Sequence, residues 1–318
     1  MRILLVKTSS LGDVIHNLPV VSDLLRTFPG AEIDWCVEES FVEIPRLHPG
    51  VREIFPVALR RWRSALTRRS TWREIGAFRA KLGRIQYDIV LDSQGLLKSA
   101  LIAGQARGVR CGYAAEAARE PWAARFYDFT FVIPRNIHAV QRNRWLAAAA
   151  LDYPVDLPLA YGIATPEIAV GWLPEGRCAV LFSATSRDDK LWPEANWIAL
   201  ARALTQRGLT PVLPGGSLVE RQRAERIAAG VPGAVLAPPL SLREMAGLIV
   251  RAALVVGVDT GLAHLAAALG VPVIALYITT DPALTGVYGT GFVRNLGAAG
   301  GSPAVGEVLR DADQALRR

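Results

Sequence analysis

The sequence is poor in the residues that would tie a small secreted protein together or carry it through a membrane. Its three cysteines, Cys36, Cys111 and Cys178, lie far apart, are odd in number and do not follow a metal-ligand spacing. We expect reduced thiols in a cytoplasmic protein. The longest apolar stretch, residues 261–278, is interrupted by a histidine, a glycine and a proline, so it is not expected to span a bilayer. The apolar run after Met1 is too short for a signal peptide and is typical of a first strand.

Two common nucleotide-binding motifs are also missing from the loop after that first strand. Neither Gly-x-Gly-x-x-Gly nor Gly-x-x-x-x-Gly-Lys-Ser/Thr occurs there, which argues against a dehydrogenase and against a P-loop nucleotide hydrolase. Disorder on a large scale is excluded by a hydrophobic fraction of 51% and a charged fraction of 20%. The 318 residues are enough for two α/β domains.

Positive charge is unevenly distributed along the chain. The net charge is +7, and the excess lies in the first half, above all in residues 60–84, where Glu74 is the only acid. Such a segment attracts an anionic partner. Because arginine predominates there, forked recognition of phosphate or carboxylate groups is favoured over loose electrostatic adhesion. Nonenzymatic binding of nucleic acid is the alternative that this segment leaves open.

Short apolar runs alternate with helical patterns in both halves of the chain, which is typical of parallel sheets covered by helices. A proline-rich passage, residues 153–166, interrupts the alternation. We therefore predict an α/β protein with two doubly wound domains, residues 1–160 and 161–318, and we leave open whether the last helix packs back on the first domain. The predicted strands are residues 2–6, 32–37, 52–57, 88–92, 110–113, 178–182, 210–213, 234–236, 254–258 and 271–276. The predicted helices are residues 14–27, a short one near 40, 96–103, 194–206, 218–229, 259–270 and 305–316.

Residues 258–270 predict a site for a phosphorylated ligand. A helix begins at Asp259-Thr260-Gly261, directly after an apolar strand, so its unpaired N–H groups and positive dipole end lie at the carboxyl edge of a parallel sheet. Ligands commonly bind at that edge. The alternative is a helix capped by Asp259 or Thr260 with nothing bound. His264, one turn into the helix, either reaches the phosphates or satisfies a buried hydrogen bond.

A small-residue loop after the first strand carries a candidate general base. Residues 7–16 place Asp13 at the carboxyl end of that strand, where its carboxylate could accept a proton from a hydroxyl nucleophile. Ser9, Ser10 and Gly12 allow a substrate to approach the backbone closely. The competing interpretation is that Asp13 is only the N-cap of the following helix.

A polar loop, residues 183–193, follows the first strand of the second half. Lys190 could neutralise charge on a departing phosphate, and the hydroxyls of Thr185 and Ser186 could donate hydrogen bonds to phosphate oxygens. A solvated charged loop is the alternative. Two adjacent aspartates in this loop are flanked by cations, and we predict no required metal.

Glu220 lies one turn into the helix that follows Pro214-Gly215-Gly216-Ser217. Its carboxylate could hold ribose hydroxyls. A glutamate in the first turn of a helix is favourable without any ligand, so the sequence leaves both interpretations open.

Taken together, these stretches resemble the bacterial ADP-heptose:lipopolysaccharide heptosyltransferases along nearly the whole chain. The Lys-Thr-Ser-Ser form of the first loop is similar to the branch of the family that adds the first heptose. The chain departs from the family pattern at Ser183, where many relatives have histidine, and at Ile278-Thr279, where Gly-Pro is common. The most specific matches are residues 7–16, 34–35, 37–39, 60–63, 94–96, 98–99, 118–121, 184–185, 187–190, 259–262, 264 and 280–282.

The resemblance implies the GT-B architecture, with two facing Rossmann-like domains and parallel sheets. It implies an inverting glycosyltransferase that moves heptose from ADP-L-glycero-D-manno-heptose to the first Kdo of Kdo2-lipid A, in the synthesis of the lipopolysaccharide inner core. The acceptor would bind mainly to the first domain and the donor mainly to the second. No metal and no cofactor besides the ADP-heptose substrate are implied. A transferase of the same family with another ADP-sugar or a later core acceptor is the nearest alternative.

The resemblance also assigns roles to residues. Asp13 would be the general base, and Lys190 would stabilise the leaving ADP. The arginines of the first half would meet Kdo carboxylates and lipid A phosphates. The residues implied in donor binding are Thr185, Ser186, Lys190, Glu220, Asp259, Thr260, Gly261, Leu262 and His264. The residues implied in acceptor binding are Ser9, Ser10, Gly12, Arg60, Arg61, Arg63 and Arg119.

The family resemblance has a consequence for location. A lipid acceptor implies peripheral contact with the anionic cytoplasmic face of the inner membrane. Nucleic acid is not an expected partner, because the motifs of the proposed cleft would then have no task.

Overall fold

The computed structural model describes residues 1–165, 171–173, 175–185 and 187–317. The chain divides into two compact units, Met1–Ala164 and Thr165–Arg318. Each unit contains one parallel sheet with helices packed on it. In the described ranges, every helix falls short of the length or the apolar character that a bilayer span requires.

The first unit is built on a six-stranded sheet in which all neighbouring strands are parallel. Its strands are Arg2–Val6 (β1), Glu32–Glu38 (β2), Val51–Val57 (β3), Gln86–Asp92 (β4), Arg107–Tyr113 (β5) and Phe129–Phe131 (β6). They lie in the order β3-β2-β1-β4-β5-β6. Because β1 is central and covered on both faces, its apolar residues from Ile3 to Val6 are fully buried.

The helices of the first unit differ from the sequence prediction at several places. They are Leu11–Ile15 (α1), Leu18–Thr27 (α2), Glu43–Arg46 (α3), Leu59–Arg63 (α4), Arg69–Leu82 (α5), Leu97–Ala103 (α6) and Ala139–Leu151 (α7). The single helix predicted over residues 14–27 is wrong, because the chain breaks at Asn17, and Pro19 lacks the N–H needed to continue α1. Helices α4, α5 and α7 were not predicted.

The second unit repeats the same type of sheet. Its strands are Cys178–Phe182 (β7), Thr210–Leu213 (β8), Val235–Leu236 (β9), Ala252–Val258 (β10), Val273–Tyr277 (β11) and Val293–Gly297 (β12). They are parallel and lie in the order β12-β11-β10-β7-β8-β9. Its helices are Glu194–Gln206 (α8), Leu218–Ala229 (α9), Leu242–Arg251 (α10), Gly261–Ala268 (α11), Pro282–Thr285 (α12) and Val305–Leu316 (α13).

The last helix, α13, belongs to the core of the second unit. It packs on α8, β10 and β11, and its buried Val308 and Ala312 join the apolar cluster around Trp192 and Trp197.

Strand order reverses at one point in each sheet, between β1 and β4 and between β7 and β10. The ends of these strands are in register, with Val6 opposite Asp92 and Phe182 opposite Gly257. In a doubly wound sheet, the crevice outside the carboxyl ends at such a reversal is the usual ligand site. The loops after β1 and β4 therefore share one crevice, and the loops after β7 and β10 share the other.

Candidate active-site residues

The carboxylate of Asp13 is held at the start of α1, in the crevice of the first unit. Oδ2 accepts hydrogen bonds from the Ser10 backbone N–H at 2.9 Å and from the Ser10 hydroxyl at 3.1 Å. Oδ1 accepts a hydrogen bond from Arg119 Nη2 at 2.9 Å. The N-cap of α1 is Ser10, and Asp13 is its partner in the first turn. The interpretation of Asp13 as the N-cap is therefore wrong, because Ser10 takes that place, and the role of Asp13 as a base stays a prediction.

Charge at this site favours the ionised carboxylate. The side chain of Asp13 is 13% exposed. Burial acts to raise the pKa of Asp13, but the charges of Lys7 and Arg119 and the hydrogen bonds from Ser10 and Arg119 together hold it below its ordinary value. Asp13 is therefore a carboxylate at neutral pH, able to accept a proton.

Lys7 is buried directly behind this carboxylate. Its ammonium group donates to the Ser93 carbonyl at 2.6 Å and to Asn143 Oδ1 at 3.2 Å, and the residue is only 5% exposed. Burial lowers the pKa of Lys7 to about 8, partly opposed by the nearby charge of Asp13. The sequence marked Lys7 only as part of a motif and assigned it no role.

Gln94 anchors the loop on which Asp13 stands. Its Oε1 accepts from the backbone N–H groups of Thr8 at 2.9 Å and Ser9 at 3.2 Å, and its Nε2 donates to the Ser9 carbonyl at 2.5 Å. The buried Asp92 holds Gln94 in turn by accepting its backbone N–H at 2.8 Å. Sequence reasoning missed this function, although the position after β4, beside β1, was a usable signal.

The predicted acceptor residues do not all gather at Asp13. Arg119 contacts it, and Ser9 Oγ accepts a hydrogen bond from Lys98 at 3.1 Å. The three arginines at 60, 61 and 63 lie on α4, which follows β3, two strands away from β1. Arg61 is engaged by Glu39 and Glu74 at 3.0 and 2.7 Å, so its charge is already paired.

In the second unit, Asp259 joins the loops that follow β7 and β10. Its Oδ2 accepts from Lys190 Nζ at 2.5 Å and from Thr280 Oγ1 at 2.9 Å. Its carbonyl accepts from Thr185 Oγ1 at 3.0 Å. The structure thus brings together three predicted donor residues, Thr185, Lys190 and Asp259. Ser186, also predicted, lies outside the described residues.

The first turn of α11 presents backbone donors to this cluster. Thr260 is the N-cap, and among the described residues its side chain makes no capping hydrogen bond. The N–H groups that begin at Gly261 and Leu262 are therefore not covered by their own cap. His264 lies one turn further on and is buried.

A pocket of about 160 Å³ lies beside this turn. It is bordered by Thr260 and Leu262 and by Gly215, where a Cβ atom would come within 2.7 Å of the Arg221 Cα, so only glycine fits. Glu220 Oε2 accepts the N–H groups of residues 216 and 217, both at 2.9 Å, and caps α9. Sequence reasoning missed the apolar wall of the pocket, which comes from Leu240, Leu242 and Met245.

Arg223 holds the polar loop after β7 in place. Its guanidinium donates to the carbonyls of Ser183 at 2.9 Å and Trp192 at 2.5 Å, and it pairs with Glu194 at 3.1 Å. The hydroxyl of Ser183 is buried and has no hydrogen-bond partner among the described residues. Within those residues, no group of three or more His, Cys, Asp or Glu side chains is arranged to hold a metal ion.

Comparison with known proteins gives consistent matches. The sequence profile described as glycosyltransferase family 9 (heptosyltransferase) matches residues 75–307. Lipopolysaccharide heptosyltransferase 1 of Pseudomonas aeruginosa is 46% identical over 294 residues, which are 91% of this chain and 82% of that protein. The structure of "E. coli heptosyltransferase WaaC with ADP" superposes with a TM-score of 0.91 and 41% identity, covering 99% of this chain and 100% of that one.

A second solved structure, "E. coli heptosyltransferase WaaC with ADP-2-deoxy-2-fluoro heptose", superposes with a TM-score of 0.88 and 40% identity, covering 99% of each chain. These matches, together with the two parallel six-stranded sheets, confirm the predicted GT-B class of α/β fold. They also make the two loop clusters described above the natural place to look for chemistry.

Proposed function

Because this chain belongs to glycosyltransferase family 9, the heptosyltransferases, we propose that it transfers heptose from ADP-L-glycero-D-manno-heptose to the first Kdo of Kdo2-lipid A. The product would be an early intermediate of the lipopolysaccharide inner core. The observation that carries the proposal is an ionised Asp13 at the carboxyl edge of the first sheet, in a chain that is 46% identical to a lipopolysaccharide heptosyltransferase 1.

The proposed reaction is a single displacement with inversion. Asp13 takes the proton from a hydroxyl of the acceptor, and the oxygen forms a bond to the anomeric carbon of heptose. The bond from that carbon to the β-phosphate oxygen breaks at the same time, and its electron pair leaves with ADP. The proton remains on Asp13 until water removes it.

The donor is proposed to bind in the second unit. Lys190 and Thr185 neutralise and hydrogen-bond the diphosphate, and the N–H groups at the start of α11 face its oxygens. Ser186 and His264 belong to the same proposed set. The Asp259 carboxylate holds heptose hydroxyls, an arrangement supported by its position between Lys190 and the start of α11.

The 160 Å³ pocket fits the nucleoside part of the donor. Its apolar wall suits an adenine ring, and Glu220 retains one carboxylate oxygen, Oε1, for ribose hydroxyls while Oε2 caps α9. Gly215 has no side chain, so the donor can approach the backbone closely at this part of the pocket. The buried hydroxyl of Ser183 lies in the same loop as Thr185 and stands where many relatives have histidine.

The acceptor is proposed to bind in the first unit. Ser9, Ser10 and Gly12 lie beside the base and leave room for a sugar ring. Arg119 reaches the base directly. On α4, Arg60 and Arg63 are the better candidates for lipid A phosphates, because Arg61 is occupied by two glutamates.

We propose that the transfer needs no metal ion. Phosphoryl leaving groups require positive charge, and Lys190 together with the start of α11 supplies it where the diphosphate would lie. Activity that persists in the presence of EDTA would support this part of the proposal. Activity that is lost with EDTA and restored by a divalent ion would overturn it.

A patch on the first unit fits peripheral contact with an anionic membrane. Leu97 and Leu101, one turn apart on α6, are exposed, and the adjacent turn Pro121–Phe126 exposes Trp122 by 63%. The guanidinium of Arg125 lies 4.1 Å from the centre of the Trp122 ring. Exposed aromatic and aliphatic side chains flanked by cations are typical of surfaces that lie in a lipid interface. We propose a location on the cytoplasmic face of the inner membrane.

The test is a transfer assay on the purified full chain. Incubation with ADP-heptose and Kdo2-lipid A should release ADP and add one heptose to the acceptor, as measured by mass spectrometry. Release of ADP with a different ADP-sugar, but not with ADP-heptose, would overturn the assigned donor. Absence of turnover with every ADP-sugar would overturn the proposed activity.

A further inference from the structure

Behind Asp13, the first unit has a small polar pocket that contains more cations than carboxylates. Its lining includes three cations, Lys7, Arg119 and Arg142, and one carboxylate, Asp13, with Tyr113 and Asn143 between them. The pocket has a volume of about 20 Å³, which is room for about one water molecule.

The ammonium group of Lys7 is hydrogen-bonded to neutral groups. Its two partners in the described chain, the Ser93 carbonyl and Asn143 Oδ1, carry no charge. A buried ammonium group that bonds only to neutral acceptors destabilises the fold unless an anion approaches it. The lowered pKa of Lys7, caused mainly by burial, is consistent with that cost.

Arg142, which lies on α7, is also a cation that is hydrogen-bonded to neutral groups. It donates to the carbonyls of Pro134 at 3.1 Å and Ala117 at 2.6 Å, and its guanidinium lies 4.8 Å from the centre of the Tyr113 ring. None of these partners carries a negative charge. Burial lowers the pKa of Arg142 as well.

Arg119 covers the base from the solvent side. Its side chain is 43% exposed, whereas that of Asp13 is 13% exposed. It occupies Oδ1 of Asp13, while Ser10 occupies Oδ2. Both oxygens of the proposed base are therefore engaged. Oδ1 keeps one lone pair for a proton, but the adjacent charge and hydrogen bond of Arg119 lower the pKa of Asp13 and so weaken it as a base until Arg119 moves.

We propose that this pocket receives the carboxylate of the acidic acceptor sugar, and that the carboxylate draws Arg119 away from Asp13 and so activates the base. The proposal rests on the function proposed above and specifies how its acceptor is recognised. The bound carboxylate is held by Lys7 and Arg142, and Arg119 turns to it as a third partner. Asp13 keeps its orientation through Ser10.

The small volume of the pocket makes acceptor binding and base activation one event. With room for about one water molecule, the pocket admits a carboxylate only when the Arg119 side chain shifts. In the absence of acceptor, the Asp13 carboxylate stays paired and is a poor base toward water. The donor is thereby protected from hydrolysis. Arg119 is thus a positioning residue, and it favours acceptors that carry a carboxylate.

The first experiment measures binding alone. Free Kdo, a sugar acid, and its uncharged methyl ester are titrated into the full chain by calorimetry. We expect the ester to bind about tenfold to a hundredfold more weakly, the effect of one charge-assisted hydrogen bond or more. Arg142→Gln and Lys7→Met should weaken Kdo binding by similar factors. Arg125→Gln, which changes an exposed arginine of the same unit, is the matched control and should not.

Two results would overturn the proposal that this pocket binds the carboxylate. One is equal binding of the acid and the ester, and the other is Kdo binding that Arg142→Gln and Lys7→Met leave unaffected. Thermal unfolding of each variant shows whether it is folded. If Arg142→Gln does not fold, Tyr113→Phe is a milder change to the same pocket. Because binding is measured without turnover, these outcomes are independent of the transfer activity. If the chain binds the acid more tightly than the ester but transfers no heptose, the carboxylate pocket is supported and the proposed function is refuted.

The second experiment separates base activation from simple binding. The pH dependence of kcat/KM reports the free enzyme, and that of kcat reports the acceptor complex. In the wild type, we expect the acidic limb of kcat to lie at higher pH than that of kcat/KM, because Arg119 has left Asp13. In Arg119→Ala the two limbs should coincide. If Arg119→Ala changes KM but leaves the two limbs separated as in the wild type, Arg119 does not control the base.

Several groups besides Arg119 influence this pH dependence. Those that act on the Asp13–Lys7 pair from the surrounding elements are Asp92 on β4, Tyr113 on β5, Arg119 after β5 and Arg142 on α7. Of these groups, only Arg119 differs between the wild type and Arg119→Ala. The separation between the two limbs, rather than the position of either, is therefore the decisive quantity.

Discussion

Lys190 Nζ lies 2.5 Å from Asp259 Oδ2 and connects the loop after β7 to the loop after β10. The two side chains are 16% and 18% exposed, so the pair is largely shielded from water. In the proposed donor site, an incoming diphosphate would compete with Asp259 for the ammonium group. The carboxylate would then be left with Thr280 and become available to sugar hydroxyls. This ion pair would thus couple the binding of phosphate to the binding of sugar.

Replacement of Lys190 should remove stabilisation of the leaving group. We expect Lys190→Ala to lower kcat by about 100-fold to 1,000-fold, the effect of losing one preorganised electrostatic partner. Steady-state release of ADP measures this. Arg187→Ala is the matched control, because Arg187 is an exposed cation of the same loop that pairs with Asp189. Equal losses in the two variants would mean that only the total charge of the loop matters.

Replacement of Asp13 should remove the base and leave the fold intact. In Asp13→Asn, the amide oxygen of the new side chain could still accept the hydrogen bonds of Ser10, so the melting temperature should stay close to that of the wild type. Turnover should fall by about 100-fold to 10,000-fold. Single-turnover rates with saturating donor and acceptor test this. A rate within a few-fold of wild type would exclude Asp13 as the base.

The buried Lys7 should leave a signature in the pH dependence of stability. Its pKa is lowered from 10.5 to about 8 in the folded state, so below pH 8 the folded chain bears the cost of a buried charge, about 3 kcal/mol. Between pH 8 and 10.5 the folded state has lost the proton while the unfolded state retains it. Stability should therefore rise with pH in that window.

Lys7→Met isolates this effect from the other groups that titrate in the same range. The variant should be more stable than the wild type at pH 7, and its advantage should shrink as the pH rises from 8 to 10.5. Urea unfolding at a series of pH values gives the difference in unfolding free energy. A difference that is constant across this range would show that burial does not lower the pKa of Lys7 in the folded chain.

The exposed patch on the first unit should govern attachment to lipid. Leu101→Ser combined with Trp122→Ser should weaken binding to vesicles that contain anionic phospholipid by tenfold or more, since burial of each side chain contributes about 2 kcal/mol. Co-sedimentation with the vesicles measures this. Leu218→Ser removes a leucine of α9 in the second unit that is more exposed than Leu101, at 72% against 49%, and is the matched control. Unchanged binding of the double variant would assign membrane contact to another surface.

Much of the sheet framework could be predicted from the sequence, because central parallel strands are continuous apolar runs. The predicted bounds of β1 and β7 coincide with the structure. Helix α5 was missed because its sequence, RSTWREIGAFRAKL, is largely polar and charged, while only a few residues, such as Ile75, Phe78 and Leu82, pack inward. Helix α10 was missed too, and with it part of the apolar wall of the pocket of about 160 Å³ beside α11.

Individual candidate residues could be found, but not their partners. Asp13 and Lys190 each lie where a strand gives way to a helix, Asp13 in the first turn of α1 and Lys190 shortly before α8, which is a local signal. Arg119 lies 106 residues from Asp13, and Asp259 lies 69 residues from Lys190. Pairings over such distances are set by strand order and register, which a single sequence does not display. The same holds for Gln94, whose role depends on the adjacency of β1 and β4.

Both sheets have one strand order, so the chain contains two copies of one topology with their crevices at equivalent places. Each copy has its own core, and the two meet in sequence at Ala164 and Thr165. If donor and acceptor bind to separate units, as proposed above, recognition of the two substrates can diverge separately. A chimaera that joins the first unit of this chain to the second unit of another family member would then acquire the donor preference of that member and keep the Asp13 crevice unchanged.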